Sequence, residues 1–310
     1  MDCVEICAGA GGMALGLERA GFQCRATVEI DASCCNTLRR NRPSWQVLEQ
    51  DVRSFDGKPF RGVDLLAGGV PCPPFSVAGR QLGADDERDL FPEALRLVEE
   101  MRPRAVLLEN VKGFLSPVFE SYREELLGAF DALGYRASWR LLNASDFGVS
   151  QLRPRVLIVA FRKGEGEHFR WPVAQSASPR SVGELLADLM GANGWPGLDG
   201  WVAEARQIAP TVVGGSKKHG GPDLGPTRAR QAWATLGVDG RGIAKDAPAP
   251  DFEGMPRLTV RMVARLQGFP DDWEFTGSKT AAYRQVGNAL PPAVSHAVGL
   301  EIRRALEAEE

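Results

Sequence analysis

The chain has 310 residues, 44% of them hydrophobic and 25% charged, ordinary proportions for a soluble globular protein with room for one large domain and a smaller one. A formal net charge of −3 excludes holding nucleic acid by bulk positive charge, but not through a local patch. There is no run of about 18 apolar residues, and Met1-Asp2-Cys3-Val4-Glu5 has no basic segment followed by an apolar one, so neither a membrane span nor a signal peptide is expected.

In chain order, strand-like runs fall at 3–7, 24–30, 45–49, 63–67, 105–109, 137–143 and 155–161. Helix-like segments lie between them at 12–20, stopped by Gly21, and at 32–40, capped by Asp31 and ended by Pro43. Two more follow at 89–101 and 118–133. This alternation predicts an α/β fold with a mainly parallel seven-stranded sheet. From 171 to 256 the chain is dense in Gly and Pro, with one short helix at 181–190 that Ser181 and Glu184 can close as a capping box. Loops of such length in a compact protein are functional or disordered. A helical pattern returns at 258–267, and a last helix is expected over 292–307. Between Arg206 and Lys245 there are seven basic residues against two acidic ones, either a solvated loop surface or a phosphate-contacting one.

All six cysteines (Cys3, Cys7, Cys24, Cys34, Cys35, Cys72) lie in the first quarter, none in a Cys-x-x-Cys pair, and there are only three histidines. Neither a metal site nor a disulfide framework is expected, and a reducing cytoplasm is the simpler setting.

Three βα units in succession supply parts of a nucleoside pocket. The first strand runs through Cys7-Ala8-Gly9-Ala10-Gly11-Gly12 into a helix whose N-terminus offers free N–H groups. Glu29 closes the second strand, where an acid commonly holds ribose hydroxyls. Asp51 follows the third and can accept from an adenine amino group. The glycine loop alone does not separate a nicotinamide cofactor from S-adenosylmethionine. Cys72, in Gly69-Val70-Pro71-Cys72-Pro73-Pro74-Phe75-Ser76, sits beyond the carboxyl end of the fourth strand run, where open α/β sheets gather their chemistry. Most free cysteines are small buried hydrophobes. Here Glu109 ends the next strand, and Arg153 and Arg155 lead into the last, so thiol, carboxylate and guanidinium converge on one edge. That combination suits covalent attack on an electron-poor ring.

The ordered motifs Val4-Glu5-Ile6-Cys7-Ala8-Gly9-Ala10-Gly11-Gly12, Pro71-Cys72, Glu109-Asn110-Val111, Gln151-x-Arg153-x-Arg155, Arg257-Leu258-Thr259-Val260-Arg261, Arg265-Leu266-Gln267-Gly268-Phe269-Pro270 and Gly287-Asn288-Ala289 resemble those of the DNA (cytosine-5)-methyltransferases, of bacterial restriction-modification type. The resemblance covers nearly the whole chain outside about 171–256. It implies a Rossmann-like S-adenosylmethionine-dependent methyltransferase domain over 1–168 with helices on both faces of the sheet, a small irregular target-recognition domain over 169–275, and a segment 276–310 returning to the catalytic domain.

The resemblance implies that Cys72 adds to C6 of a cytosine flipped from the duplex. Glu109 would protonate N3, Arg155 would hold the O2 side, Arg153 would support the closed loop, and C5 would take the methyl group. S-adenosyl-L-methionine would lie on Cys7, Ala8, Gly9, Ala10, Gly11 and Gly12, with Glu29 and Ile30, Asp51 and Val52, Pro71, Leu90, Asn288 and Ala289 around it; S-adenosyl-L-homocysteine would leave, and no metal takes part. Ser76, Arg80 and Gln81 match the loop that closes on the base. Thr211, Lys217, Lys218, His219, Arg228 and Arg230 are candidates for contacting DNA, with 211–230 entering the major groove. Cys7 stands where many relatives carry Phe, Ile30 where many carry an aromatic, and Ala289 where Ser is common.

The partners so implied are double-stranded DNA and a cognate restriction endonuclease, and the chain would act as a cytoplasmic, nucleoid-associated monomer. A tRNA methyltransferase would share the cysteine chemistry. A DNA-binding protein without turnover is opposed by the intact Cys72, Glu109 and Arg155 set.

Overall fold

The computed structural model describes residues 1–71, 89–215 and 221–308. Among these, seven strands form one sheet: β1 (Asp2–Ile6), β2 (Gln23–Glu29), β3 (Val47–Glu49), β4 (Leu65–Gly68), β5 (Ala105–Val111), β6 (Tyr135–Asn143) and β7 (Pro154–Arg162). The helices are α1 (Gly12–Arg19), α2 (Ala32–Asn41), α3 (Phe91–Met101), α4 (Glu120–Ala132), α5 (Val182–Met190), α6 (Leu198–Glu204), α7 (Thr227–Ala234), α8 (Val260–Leu266), α9 (Lys279–Asn288) and α10 (Pro292–Glu307). Each expected strand is present. The capping box of α5 forms as read, with Ser181 Oγ accepting from the Glu184 N–H and Glu184 reaching back. Helices α6, α7 and α9 stand where no apolar period announces them. Trp201 and Trp233 anchor α6 and α7 by single buried side chains, and Ser278 caps α9 by accepting from the Ala281 N–H.

The strand order is β3-β2-β1-β4-β5-β7-β6. β1 pairs in parallel with both β2 and β4, and β4 with β5, so the order reverses between β1 and β4. Such a reversal opens a crevice beyond the strand carboxyl ends. β7 runs antiparallel to β5, pairing Val111 with Arg155. The start of β7 therefore lies at the same edge as the end of β5, and Arg155 shares that edge with Glu109.

The described residues fall into two compact units. The first comprises Met1–Leu142, Pro154–Pro172 and Val294–Glu310 and contains the sheet. Val4, Ile6, Leu66, Val106 and Leu108 of its central strands are completely buried, as are Leu97 and Val98 of α3. Each such side chain contributes roughly 1.5–3 kcal/mol, which makes the strand ends a stiff platform. Within this unit α10 packs closely on α1: a Cβ on Gly299 would stand 3.0 Å from Ala20 Cβ and from Leu17 Cδ2.

The second unit comprises Asn143–Arg153 and Val173–Ala293. In it α5 packs against α6 and α8, and α8 against α9. Residues 276–293 and 143–153 group with this unit, because α9 packs on α8 and the Gln151 and Arg153 side chains bond within it. Among the described residues no helix is long and apolar enough to cross a membrane, and no cluster of three or more His, Cys, Asp or Glu has metal-holding geometry.

Candidate active site

The loop after β1 turns through left-handed backbone at Cys7 (φ 51°), Gly9 (φ 54°) and Gly11 (φ 85°). Glycine at two of these positions removes the strain that a side chain would bring. Glu29, 9% exposed at the end of β2, holds the turn: its Oε2 accepts from the Gly9 N–H at 2.7 Å and its Oε1 from the Asp31 N–H at 2.8 Å. Both carboxylate oxygens are thus used to shape the loop, and each retains a lone pair for a further donor such as a hydroxyl. A Cβ placed on Gly9 would meet nothing within 4 Å, so the loop faces open space.

Ile30 follows, 66% exposed, an apolar side chain left uncovered next to the acid. Asp51 accepts from the Arg53 N–H at 2.9 Å and pairs with the Arg53 guanidinium at 3.0 Å, while Val52 beside it is buried. Burial, reinforced by the Glu29 charge, pushes the Cys7 thiol up to about 12, so it lines the loop as a neutral group. Burial likewise holds the Glu5 carboxyl well above the usual range, beneath the first turn of α1, where it accepts from the Ala14 N–H. An open glycine turn, a ribose-height acid and an exposed apolar face together fit an adenosyl cofactor.

The other end of the crevice lies one strand away. Ile6 of β1 pairs with Gly68 of β4, and Gly68 with Leu108 of β5. Gly69 therefore sits between the two ends: a Cβ there would lie 3.3 Å from Glu109 Oε2 and 4.0 Å from the Cys7 carbonyl oxygen. Glu109 Oε1 is 2.8 Å from Arg155 Nε, with the two side chains 13% and 11% exposed. Burial pulls the Arg155 guanidinium below its ordinary value, and the Glu109 charge opposes that shift. Asn110 ties the strand end to its neighbour by donating to the Val70 carbonyl at 3.1 Å. The Leu90 N–H donates to the Pro71 carbonyl at 3.2 Å, and Asp89 accepts from the Phe91 N–H and the Tyr122 hydroxyl. Cys72, Ser76, Arg80 and Gln81 lie outside the described residues.

In the second unit Arg153 is held by backbone. Its side chain is completely buried, and its guanidinium donates to the carbonyls of Val212 (2.7 Å), Gly287 (2.6 Å) and Ala289 (3.0 Å). Those donors are committed to backbone, so Arg153 is a positioning residue. Gln151 and Gln267, also buried, complete the knot. Gln151 Nε2 donates to Gln267 Oε1 at 2.5 Å, its Oε1 accepts from the Val212 N–H at 2.9 Å, and Gln267 Nε2 reaches the carbonyls of Val286 and Ala289. Both glutamines stand in the ordered motifs; a polar Gln267 directly after the apolar Leu266 was the available signal.

Next to this knot, the half-buried Thr211 donates to the Leu152 carbonyl, and Val212 is buried. Asn288 donates to the Gly215 carbonyl at 3.4 Å, within the second unit. Arg230 donates to the Gly225 carbonyl at 2.8 Å, while Arg228 is exposed on α7. Lys217, Lys218 and His219 lie outside the described residues.

A family profile described as C-5 cytosine-specific DNA methylase matches residues 1–304. The chain is 56% identical over 309 residues to the type II methyltransferase M.NgoMIV of Neisseria gonorrhoeae, covering 99% of this chain and 98% of that protein. It is 55% identical over 315 residues to M.NaeI of Lentzea aerocolonigenes, covering 100% of this chain and 76% of that protein. Among solved structures, a variant of Spodoptera frugiperda DNMT2 is similar with a TM-score of 0.67 at 17% identity, over 97% of this chain and 99% of that one. The S. pombe Dnmt2 methyltransferase reaches 0.66 at 18%, over 98% and 99%. These structural likenesses carry the fold alone.

Proposed function

The chain belongs to the C-5 cytosine-specific DNA methylase family, and from that premise we propose that it methylates C5 of a flipped-out cytosine in a short duplex sequence, using S-adenosylmethionine and Cys72. The observation that carries this reading is the position of Gly69 between the two crevice ends, where a Cβ would lie 3.3 Å from Glu109 Oε2 on one side and 4.0 Å from the Cys7 carbonyl oxygen on the other. A methyl donor on the turn and a base against Glu109 would then be neighbours.

Bound S-adenosylmethionine supplies an electrophilic methyl group. Gly9, Gly11 and Gly12 leave room for its methionine part, Glu29 accepts from the ribose, Ile30 and Val52 flank the adenine, and Asp51 accepts from its amino group. Arg153 supports the reading unit and does not touch the base.

The Cys72 thiolate attacks C6 of the cytosine, forming an S–C6 bond as the C5–C6 double-bond pair moves into the ring. Glu109 gives a proton to N3 and Arg155 donates to O2, so charge is met where it develops. C5 would form its bond to the methyl carbon as the carbon–sulfur bond of the donor breaks, the electron pair leaving with S-adenosylhomocysteine. Loss of the C5 proton to a base then drives out the sulfur as thiolate and restores the double bond, while N3 returns its proton to Glu109. The base has to leave the stack because the faces of C5 and C6 are covered inside a duplex. The names of the two type II relatives support a place in a restriction-modification system beside a cognate endonuclease.

The test is incubation of the purified chain with labelled S-adenosylmethionine and mixed-sequence duplex DNA, followed by nucleoside mass spectrometry. Label is expected in 5-methylcytosine of DNA. Label confined to RNA, or found at cytosine N4, would overturn the proposal.

A further inference from the structure

The basic stretch between Arg206 and Lys245 looks in sequence like a broad phosphate-binding surface. Folded, most of its described cations are spent internally. Arg206 donates to the Ala203 carbonyl, Arg230 to the Gly225 carbonyl, and Arg241 pairs with Asp239 at 2.9 Å. Arg228 and Lys245 remain, both exposed and without a partner among the described residues. Lys245 is a flexible point charge in a loop next to the exposed Asp246. Arg228 is a planar fork on a helix.

That helix is firmly seated. Trp233 is completely buried, the Leu224 N–H donates to the Gly240 carbonyl at 3.0 Å, and a Cβ on Gly240 would lie 3.1 Å from Arg230 Cγ. The half-buried Arg230 packs against Gly240 and holds α7, while Arg228 and Gln231, three residues apart, are both exposed. α7 carries no acidic residue. A cavity of about 380 Å³ beside it is lined by Thr227, Arg230, Gln231 and Ala234 of the helix together with Val238 and Met255.

We propose that Arg228, supported by Gln231 on the same face of α7, reads base edges in the major groove and sets which sequence is methylated, Arg228 taking a guanine. An arginine fork matches the O6 and N7 acceptors of guanine with two parallel bonds, which a phosphate contact does not require. The inference rests on the duplex-DNA substrate proposed above.

The test compares the full-length wild type with Arg228→Ala and Arg228→Lys on a library of duplexes, reading methylated positions by bisulfite sequencing. The position is exposed, so both variants are expected to melt with the wild type. At the wild-type site, Arg228→Ala is expected to lose about ten- to a hundredfold in rate. Duplexes altered at one particular guanine should lose far less, so discrimination at that position disappears. Arg228→Lys, which keeps the charge, should lose the same discrimination. A uniform loss on every duplex, the mark of a phosphate contact, or an unchanged site preference in both variants would overturn the inference while leaving DNA methylation standing. A wild type that methylates no duplex would remove the underlying reading and this inference with it.

Discussion

Replacing Arg153 with methionine removes a buried guanidinium that donates to the carbonyls of Val212, Gly287 and Ala289 at 2.6–3.0 Å. A hydrogen bond from a charged donor is worth about 1.5–3 kcal/mol net, which sets an upper bound of roughly 5–9 kcal/mol for three. Losing the charge also returns several kcal/mol of desolvation, so the net cost comes to about 3–5 kcal/mol. At about 2–4 °C per kcal/mol the melting temperature should fall by roughly 10 °C. Arg153→Lys should be no milder, since one ammonium keeps the buried charge without the fork that spans three carbonyls. Urea unfolding followed by tryptophan fluorescence measures this, with Trp201 and Trp233 buried in the same unit. A loss of under about 1 kcal/mol, with turnover abolished in the folded variant, would refute the positioning role.

Other outcomes follow from the crevice. Gly69→Ala puts a Cβ 3.3 Å from Glu109 Oε2; the carboxylate must give way slightly, so kcat should fall about tenfold with S-adenosylhomocysteine affinity unchanged by calorimetry, and an unaltered kcat would speak against Glu109 as the group meeting the base. Glu29→Gln turns one acceptor into an amide donor facing a backbone N–H, either Gly9 or Asp31. Cofactor affinity should drop about tenfold, the worth of one charged hydrogen bond, and equal affinity would detach Glu29 from the cofactor loop. Thiol chemistry gives a pH test: burial raises Cys7 to about 12 and Cys35 to about 11, so both stay protonated, and hence unreactive, until the pH climbs towards those values. Mass mapping after iodoacetamide treatment of the folded protein at pH 8 should find both unmodified, and early labelling of Cys7 would contradict a thiol held neutral.

The sheet was legible because buried strands leave dense apolar runs: Leu65-Leu66-Ala67 and Ala105 to Leu108 are completely buried. Glu29 and the glycine turn were legible because their spacing follows from one βα unit. The bond from the Gly9 N–H to Glu29 was not, since nothing local distinguishes a carboxylate that shapes a loop from one that awaits a ligand. The partners of Arg153 were hidden for a related reason. Arginine is rarely completely buried, and the three carbonyls that hold it come from segments near 212 and 287–289, remote in sequence. Helix α7 left no apolar period because it buries Trp233 alone among its residues. The basic stretch overstated its free charge, since Arg230 and Arg241 are satisfied by the fold itself.

The most direct measurement uses a duplex whose target cytosine carries fluorine at C5. Once the sulfur has added at C6 and the methyl group has arrived, no C5 proton remains to be lost, so the S–C6 bond cannot be eliminated. Mass spectrometry is expected to find a stable protein–DNA adduct one methyl group heavier than its two parts, with the DNA on Cys72 by peptide mapping and no adduct from Cys72→Ser. Methylation of the ordinary duplex without an adduct on the fluorinated one, or an adduct on any other residue, would contradict the covalent role of Cys72.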